Sequence, residues 1–415
     1  MVRMWTAAAV ALVTLGTNAM AQDKGILKVG GLATLEGAFT ILGEDSMRGI
    51  ETALEEVGYA AGGYTIELIK ASSDASPDSA IRAARKLVEQ DEVAVLIGPL
   101  SGSEGLAMKD YAKLQPQTTF LNGSSGAQDT TLRDPAENFF RFSTDGAQWM
   151  AGLGTYAVEE KGYKRIATLG EDYSFPYTMI FGFLSEFCAA GGEVTDRFWV
   201  PIGQKDFASI IAALPDDIDA IWVGLGGGDA VNFLNQYQQA GGETPFIAGS
   251  ITVDQSILSQ KGSAKDALVG TPSAGPQADS WDDPTWQAFV ELYQNTFPEN
   301  ERFPSPSLFA TTYYTATKAM ISALNAVDGD LSDGQAAFRE TLSTLELAAP
   351  TGTVTLDENR NAIANNFLTE VVEGPDGNLQ NQLIEVIPSV NQTLGFPREE
   401  FLALGEVGRD VPTCN

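Results

Sequence analysis

The chain has 415 residues, a formal net charge of -30 at pH 7 and no histidine. This length allows two or three domains, or two lobes with ample cores. The strong negative charge repels phosphate backbones and argues against nucleic-acid binding. Without histidine, Ser-His-Asp and Cys-His catalysis and every His-ligated metal site are excluded. The two cysteines are too few for a four-cysteine zinc site. We therefore expect neither a metal nor a cofactor.

Residues 1–21 have the pattern of a signal peptide. Arg3 is followed by an apolar run over residues 5–15 and by the small-x-small signal Ala19-Met20-Ala21. The apolar run is too short to span a membrane. The cleavage site has no cysteine, so we do not expect a lipid anchor. We expect cleavage near Ala21 and a mature protein free in the periplasm or outside the cell. In that oxidising compartment Cys188 and Cys414 are predicted to form a disulfide, with two free thiols as the alternative.

Predicted strands and helices alternate through residues 27–250. The predicted strands cover residues 27–33, 64–70, 93–97, 118–121, 139–142, 165–169, 194–200, 220–223 and 246–248. The predicted helices cover residues 45–57, 77–88, 104–113, 145–161, 177–190 and 229–239, with a short one after residue 206. The loop over residues 34–43 follows the first strand. This alternation predicts parallel sheets covered by helices on both faces.

The last third of the chain has a different pattern. Residues 272–284 are rich in Gly, Pro, Ser and Asp and are predicted to cross between domains. Helices are predicted over residues 284–297 and 307–327, and a third begins at Asp333. Three short strands near residues 352–356, 367–372 and 383–387 follow. The tail from residue 390 has little periodicity and is expected to pack loosely unless Cys414 holds it.

Glycine- and serine-rich turns follow three of the predicted strands and precede helices. They lie in the stretches VAVLIGPLSGSEG, FLNGSSGAQD and AIWVGLGGGDAVNFL. Unpaired backbone N–H groups at a helix N-terminus, beside small hydroxyls, suit a carboxylate or another polar anion, although such residues also make ordinary tight turns. Ligands of open α/β sheets bind at the carboxyl ends of the strands, where these turns lie.

The sequence contains no strong catalytic motif. The chain has many acids that a glycosidase could use, including Glu171, Asp172, Asp229 and Asp254, but no motif selects a pair. GLGGGD has Asp229 where a dinucleotide-binding turn needs a third small residue, and no P-loop is present. The residues therefore favour binding over catalysis.

Six ordered blocks of sequence resemble the type I periplasmic solute-binding proteins of ABC transporters, in the branch that includes the branched-chain amino-acid binders. The blocks are LKVGGLATLEGAFTILGEDSMRGIETAL, VAVLIGPLSGSEGLA, NFFRFSTDGAQ, KRIATLGEDYSF, KDFASIIAALPDDIDAIWVGLGGGDAVNFLNQYQQAGG and PTGTVTLDENR. The resemblance implies an α/β fold of two doubly wound lobes, joined by three crossovers with a ligand cleft between them. It also implies that the protein binds a small-molecule solute and delivers it to a membrane permease.

The resemblance also implies the lobe boundaries. Lobe 1 would comprise residues 22–143 and 275–350, and lobe 2 residues 144–274 and 351–387, with residues 388–415 as a C-terminal tail.

Carried over residue by residue, the family's ligand site falls on turns of both lobes. Lobe 1 would contribute Leu42 from the first loop, Ser101, Gly102 and Ser103 from the next turn, and Ser124, Ser125 and Gly126 from the turn after that. Lobe 2 would contribute Asp172, Tyr173, Phe175, Gly226, Asp229 and Ser250. Several depart from the family pattern: Gly102 and Gly126 stand where hydroxyls are usual, Leu42 and Gly226 where aromatics are frequent, and Phe175 where tyrosine is common.

Ser250 is the departure that bears most on the solute. Amino-acid binders have at this position the acid that pairs with the ligand's ammonium, and an ammonium buried without a counter-charge is unfavourable by several kcal/mol. Either Asp172, Asp229 or Asp254 replaces that acid, or the solute has no ammonium. Tyr173 and Phe175 would stack on a planar solute, or else pack the lobe, and the alternative for Asp229 is a helix N-cap.

The resulting hypothesis is a monomeric, non-enzymatic binding protein for a small polar or carboxylate-bearing solute, of amino-acid, amide or aromatic-acid type. A periplasmic sensor or chemoreceptor partner with the same cleft is the alternative, and a periplasmic hydrolase is a third possibility.

Overall fold

The computed structural model describes residues 23–262 and 264–414. The predicted signal peptide and its cleavage site near Ala21 lie outside these residues. Within the described ranges, no helix has the length and apolar character needed to cross a membrane.

Strands and helices alternate along the chain as the sequence predicts. The strands are β1 (Ile26–Thr34), β2 (Ala60–Ala61), β3 (Tyr64–Ser73), β4 (Val95–Ile97), β5 (Thr119–Leu121), β6 (Phe139–Phe140), β7 (Arg165–Glu171), β8 (Glu193–Val200), β9 (Ala220–Gly224), β10 (Phe246–Ala248), β11 (Pro272–Gly275), β12 (Leu347–Ala349), β13 (Gly352–Leu356), β14 (Ala362–Glu373) and β15 (Leu379–Val390). The helices are α1 (Thr40–Glu56), α2 (Pro77–Arg85), α3 (Gly102–Lys113), α4 (Gly146–Trp149), α5 (Leu153–Glu159), α6 (Ser174–Ala189), α7 (Ala208–Ala213), α8 (Gly227–Gln239), α9 (Gln255–Leu258), α10 (Pro284–Thr296), α11 (Leu308–Ala326), α12 (Ser332–Thr344) and α13 (Arg398–Ala403).

The strands form two sheets with the same parallel core. One sheet has the order β2-β3-β1-β4-β5-β6, and the other has β12-β13-β14-β11-β10-β9-β7-β8, with β15 paired to β14. In each, the first strand of the parallel set lies between the second and the third, because β1 pairs with β3 and β4 while β7 pairs with β8 and β9. This is a doubly wound arrangement, so the predicted α/β fold of two lobes is confirmed.

Burial explains why the central strands are continuous apolar runs. Val95, Leu96 and Ile97 of β4 are fully buried, as expected for a strand covered by helices on both faces. The core of lobe 1 also includes α1 and α11, which pack side by side and bury residues such as Ile50 and Met320. Lobe 2 has its own core, which includes Ile221 of β9 and Phe233 of α8.

The chain passes between the two sheets three times. It leaves the first sheet after β6, returns after β11 to form α10, α11 and α12, and enters the second sheet again through β12, β13 and β14. The antiparallel pairing of β14 with β11 and β15 extends the second sheet. The predicted lobe boundaries at residues 143, 274 and 350 fall in or beside these connections, and they stay a prediction.

Several predicted element bounds were wrong. The helix predicted over residues 145–161 is divided into α4 and α5, because Gly152 between them has a φ of 86° and its N–H bonds to Glu186 rather than to the helix. Leu42 lies in α1 and not in a loop, since the helix begins at Thr40. The predicted linker at residues 272–284 contains β11, which is held by β10 and β14. The last two predicted strands are longer, because β14 and β15 pair along most of their length.

Residues 391–414, which we call the C-terminal strap, pack against both lobes. A disulfide joins Cys414 to Cys188 of α6. The ring of Phe401 lies edge-on to Phe181, with centroids 5.7 Å apart. On the other lobe, Arg398 donates a hydrogen bond to the carbonyl oxygen of Leu132 at 2.7 Å. The strap is therefore held by packing and hydrogen bonds as well as by the disulfide.

Candidate functional site

The carboxyl ends of the two parallel sheets face each other. In each doubly wound sheet the crevice lies where the strand order reverses, between β1 and β4 in lobe 1 and between β7 and β9 in lobe 2. The loop after β1 reaches across to the loop after β9. A methyl group built on Gly227 would lie only 2.4 Å from the carbonyl oxygen of Ala38. The two lobes are thus closed on each other at their crevices.

The turn after β4 is organised by a capping box at the start of α3. The Ser101 hydroxyl accepts from the N–H of Glu104 at 3.3 Å, and Glu104 Oε2 accepts from the N–H of Ser101 at 2.8 Å. The Ser101 hydroxyl also donates to the carbonyl oxygen of Ala75 at 3.0 Å. Ser101 is therefore already used in holding the helix and the neighbouring loop.

Gly102 and Ser103 meet the start of α6 across the cleft. The hydroxyl oxygens of Ser103 and Ser174 are 3.2 Å apart. A methyl group on Gly102 would lie 2.7 Å from Ser174 Oγ and 2.9 Å from the backbone nitrogen of Phe175. Glycine at this position allows two helix N-termini from different lobes to touch.

The next turn of lobe 1 is less open to a solute than expected. The Ser124 hydroxyl donates to the carbonyl oxygen of Leu100 at 3.2 Å. Ser125 is fully buried, and its hydroxyl has no partner among the described residues. That hydroxyl lies against Gly105 of α3, where an added methyl group would come within 1.9 Å. Gly126 faces the cleft, since a methyl group there would lie 2.7 Å from the ring of Phe175.

Apolar side chains from both lobes line this region. Leu42 and Phe39 of lobe 1 belong to the same buried cluster as Tyr173 and Phe175 of lobe 2. The ring centroids of Phe39 and Tyr173 are 6.1 Å apart, and those of Tyr173 and Phe175 are 6.3 Å apart. The site has mainly apolar walls with a few polar atoms among them.

Gly226 and Ser250 lie deeper in lobe 2. Gly226 is the N-cap of α8, and its N–H donates to Oε1 of Glu171 at 3.0 Å. An added methyl group on Gly226 would lie 2.4 Å from Ile251, so no aromatic side chain fits there without rearrangement. Ser250 is buried, with its hydroxyl 3.8 Å from the sulfur of Met179.

The three acids considered as replacements for a counter-charge all have partners within the protein. Asp172 accepts hydrogen bonds from Arg409 of the strap and from Tyr177. Partial burial alone would raise the pKa of the Asp172 carboxyl, but these hydrogen bonds outweigh burial and lower it. Asp229 accepts from the N–H of Gly203 at 2.7 Å, so it is not the N-cap of α8.

Asp254, the third of these acids, links the lobes. Its Oδ2 accepts from the N–H of Leu308 at 2.8 Å, at the start of α11, and its Oδ1 accepts from the N–H of Ser256 at 2.9 Å. Burial raises the pKa of this carboxyl to about 7. Asp254 is thus the N-cap of α9 and also accepts the first N–H of α11, a helix of the other lobe.

Two glutamates that sequence reasoning did not place in the site lie at the crevices. Glu104 and Glu171 are fully buried, and Glu171 shares a side-chain hydrogen bond with Asp229. Among the described residues, Oε1 of Glu104 has no hydrogen-bond partner. Burial raises the pKa of both carboxyls, most strongly that of Glu171. The S-x-x-E pattern at Ser101 was a signal for the position of Glu104, and the end of the apolar run of β7 marked that of Glu171.

Two doubly wound lobes closed around a cleft are also found in known proteins that resemble this chain. The sequence profile of the periplasmic binding protein family matches residues 26–377, and the chain belongs to that family. It is similar to Leu/Ile/Val-binding protein homolog 6 of Brucella melitensis, with 24% identity over 91% of this chain and 95% of the relative.

Solved structures show the same similarity. An ABC transporter substrate-binding protein from Sphaerobacter thermophilus is 30% identical, over 88% of this chain and 99% of the other, with a TM-score of 0.78. An ABC transporter solute-binding protein from R. palustris, solved in complex with benzoate, is 25% identical over 88% of this chain and 98% of the other, with a TM-score of 0.79. The predicted resemblance is therefore confirmed.

Proposed function

We propose that this protein captures a small organic solute between its two lobes by hinge closure and delivers it to the permease of an ABC uptake transporter. It acts as a monomer in the periplasm after cleavage near Ala21, and it releases the solute unchanged. The family and the similar transport proteins support this role over that of a sensor or a hydrolase.

The observation that carries the proposal is the meeting of two helix N-termini across the crevice. Ser103 and Ser174 are in hydrogen-bond contact, and Gly102 lies against the backbone of Phe175. Such contacts between otherwise separate lobes are those that a hinge closure forms and breaks. We propose that the turns around them hold the solute, with the apolar walls of Leu42, Tyr173 and Phe175 around its body.

The solute is of amino-acid, amide or aromatic-acid type. Relatives named for leucine, isoleucine and valine and a neighbour solved with benzoate support this range. Both kinds of ligand combine an apolar body with a polar group, as the mixed lining of this cleft requires.

A thermal-shift screen of small metabolites tests the proposal. A ligand that binds only the folded protein raises its melting temperature with increasing ligand concentration. We expect amino acids, amides or aromatic acids among the compounds that stabilise the protein, and unchanged compound recovered after binding. Turnover of the bound compound, or no stabilising compound in the whole screen, would contradict the proposal.

A further inference from the structure

The far end of the C-terminal strap is fixed to lobe 2. Cys414 forms a disulfide with Cys188 of α6. Arg409 donates to Oδ1 of Asp172 at 2.7 Å, and Arg197 of β8 donates to the carbonyl oxygen of Arg409 at 3.2 Å. Because of this covalent bond and these polar contacts, the end of the strap moves with lobe 2.

The middle of the strap is bonded to one segment of lobe 1. Residues 126–133, between β5 and β6, form this segment, which we call the closing segment. Arg398 of the strap donates to the carbonyl oxygen of Leu132 at 2.7 Å. In the opposite direction, Arg133 donates to the carbonyl oxygen of Gly405 in the strap at 2.9 Å. Two arginine–carbonyl hydrogen bonds, one from each side, therefore join the strap to lobe 1.

Apolar packing at the same place involves both lobes. Leu132 of the closing segment and Phe401 of the strap share a buried cluster with Ala147 and Phe181 of lobe 2. Each of these four residues is at most 1% exposed. Separation of the lobes at this junction would expose the apolar surface of the cluster to water, which is unfavourable.

The closing segment also contacts α6 of lobe 2 directly. The N–H of Gln128 donates to Oγ1 of Thr178 at 3.3 Å, and a methyl group on Gly126 would lie 2.7 Å from the ring of Phe175. Thr178 and Phe175 both lie in α6, the helix to which the disulfide attaches the strap. A motion that separates the closing segment from α6 must therefore separate it from the strap as well.

We propose that the C-terminal strap is a latch for the closed state, in which the hydrogen bonds at Leu132 and Gly405 hold the closing segment against lobe 2. Contacts that are present only in the closed state lower its free energy relative to the open state and increase its population. The disulfide keeps the strap on lobe 2 while the closing segment moves away. This inference rests on the hinge closure of the proposed function, and it adds an element outside the family-matched residues 26–377 that favours closure with or without a solute.

A pair of engineered cysteines gives a measure of closure that needs no solute. The hydroxyl oxygens of Ser103 in lobe 1 and Ser174 in lobe 2 are 3.2 Å apart. In a probe protein with Ser103→Cys and Ser174→Cys, the two thiols can form a disulfide only while the lobes are in contact. With oxidised glutathione as the oxidant, the rate of bridge formation follows the fraction of molecules that are closed.

Two changes to this probe protein weaken the latch by different routes. Arg133→Met removes the hydrogen bond to Gly405, and Cys188→Ser with Cys414→Ser frees the end of the strap. We expect either change to slow bridge formation about threefold or more, because the loss of one hydrogen bond of ordinary strength shifts an equilibrium by such a factor. The use of both changes keeps the inference decidable if one variant does not fold.

Arg165→Met is the matched control. Arg133 bonds the carboxylate of Asp129 as well as the strap, and Arg165 likewise bonds a carboxylate and a backbone carbonyl oxygen. The partners of Arg165 are Glu193 and Asp217, both within lobe 2. We therefore expect the control to form the bridge at the rate of the probe protein.

Equal rates in all of these proteins, or as large a decrease in the Arg165 control as in the Arg133 variant, would overturn the latch and leave solute capture intact. A probe pair that never forms its bridge would overturn the latch as well. Failure of the metabolite screen is a separate outcome, because it would contradict the proposed function without changing these rates.

Discussion

At the scale of single residues, glycine decides how closely the lobes approach. Gly102 and Gly126 both face Phe175, and a methyl group on either would lie within 3.0 Å of an atom of that residue. The family that the sequence resembles usually has hydroxyls at these two positions. The structure indicates that here the absence of a side chain permits contact between the lobes.

Gly102→Ala is therefore expected to weaken solute binding about tenfold with little change in the stability of either lobe. The added methyl group would meet the backbone nitrogen of Phe175 at 2.9 Å, which cannot move as a flexible side chain can, so the closed state would be disfavoured by about 1.4 kcal/mol or more. Calorimetry with a solute found in the thermal-shift screen measures the effect.

Gly228→Ala is the matched control, because its methyl group would have an ordinary contact, 3.8 Å from the carbonyl oxygen of Ala38. If the Gly102 variant bound as tightly as this control, the contact seen at Phe175 would have no part in closure.

At the scale of elements, helix N-termini and the C-terminal strap organise the molecule. Glu104 and Glu171 hold the starts of α3 and α8, and Asp254 holds the start of α11. The strap, which lies beyond the family-matched residues 26–377, adds a disulfide and side-chain contacts to both lobes.

Replacing both cysteines, Cys188→Ser with Cys414→Ser, is expected to lower the free energy of unfolding by about 2–5 kcal/mol. The bridge joins residues 226 apart in sequence, and a long closed loop restricts the unfolded chain strongly. Denaturant unfolding with and without a reducing agent is the measurement.

Reduction should lower the stability of the original protein to that of the double variant, and it should leave the double variant unchanged. Equal unfolding midpoints for the oxidised protein and the variant would show that the disulfide does not contribute to the stability of the folded protein.

At the scale of the whole molecule, the lobes are held by buried polar contacts as well as by apolar packing. Asp254 follows β10 of the second sheet, yet it accepts the N–H of Leu308 at the start of α11, which packs on the first sheet through α1. Burial raises the pKa of Asp254 to about 7, well above that of an unfolded aspartate near 3.9. The folded protein therefore holds a proton that the unfolded chain has lost between these two pH values.

Because the folded state holds this proton more tightly, the contribution of Asp254 to the free energy of unfolding is expected to fall as the pH rises from about 4 to 7. Above pH 7 the loss of unfolding free energy is complete. The effect is about 1.4 kcal/mol for each pH unit in which the two states differ by one proton. Asp254→Asn has no titrating group, so it should lose less stability than the original protein over this interval.

Unfolding free energies of both proteins at pH 5 and pH 8 give the measurement. If the unfolding free energies of the two proteins differed by the same amount at both pH values, the two N–H hydrogen bonds to Asp254 would be keeping it ionised in the folded state despite its burial.

The fold was largely predictable from the sequence, because alternating apolar strands and amphipathic helices are local patterns. Val95, Leu96 and Ile97 could be placed in a buried strand without knowledge of any partner. Element bounds failed where a partner distant in sequence decides them, as at Gly152, whose N–H bonds to Glu186 instead of continuing a helix. The positions of the site residues stay predictions until a solute is bound.

By itself, the sequence determined the class of protein, the two doubly wound lobes and the turns at their strand ends, since strand, turn and helix signals are all encoded within a few residues. Only the tertiary structure decided which polar atoms in the cleft remain without partners. Ser101, Asp172 and Asp254 bond to groups supplied by other loops, the strap and the other lobe. Glu104 and Glu171, 67 positions apart in the printed chain, are both fully buried at the crevices, where each accepts the N–H of a helix N-cap residue.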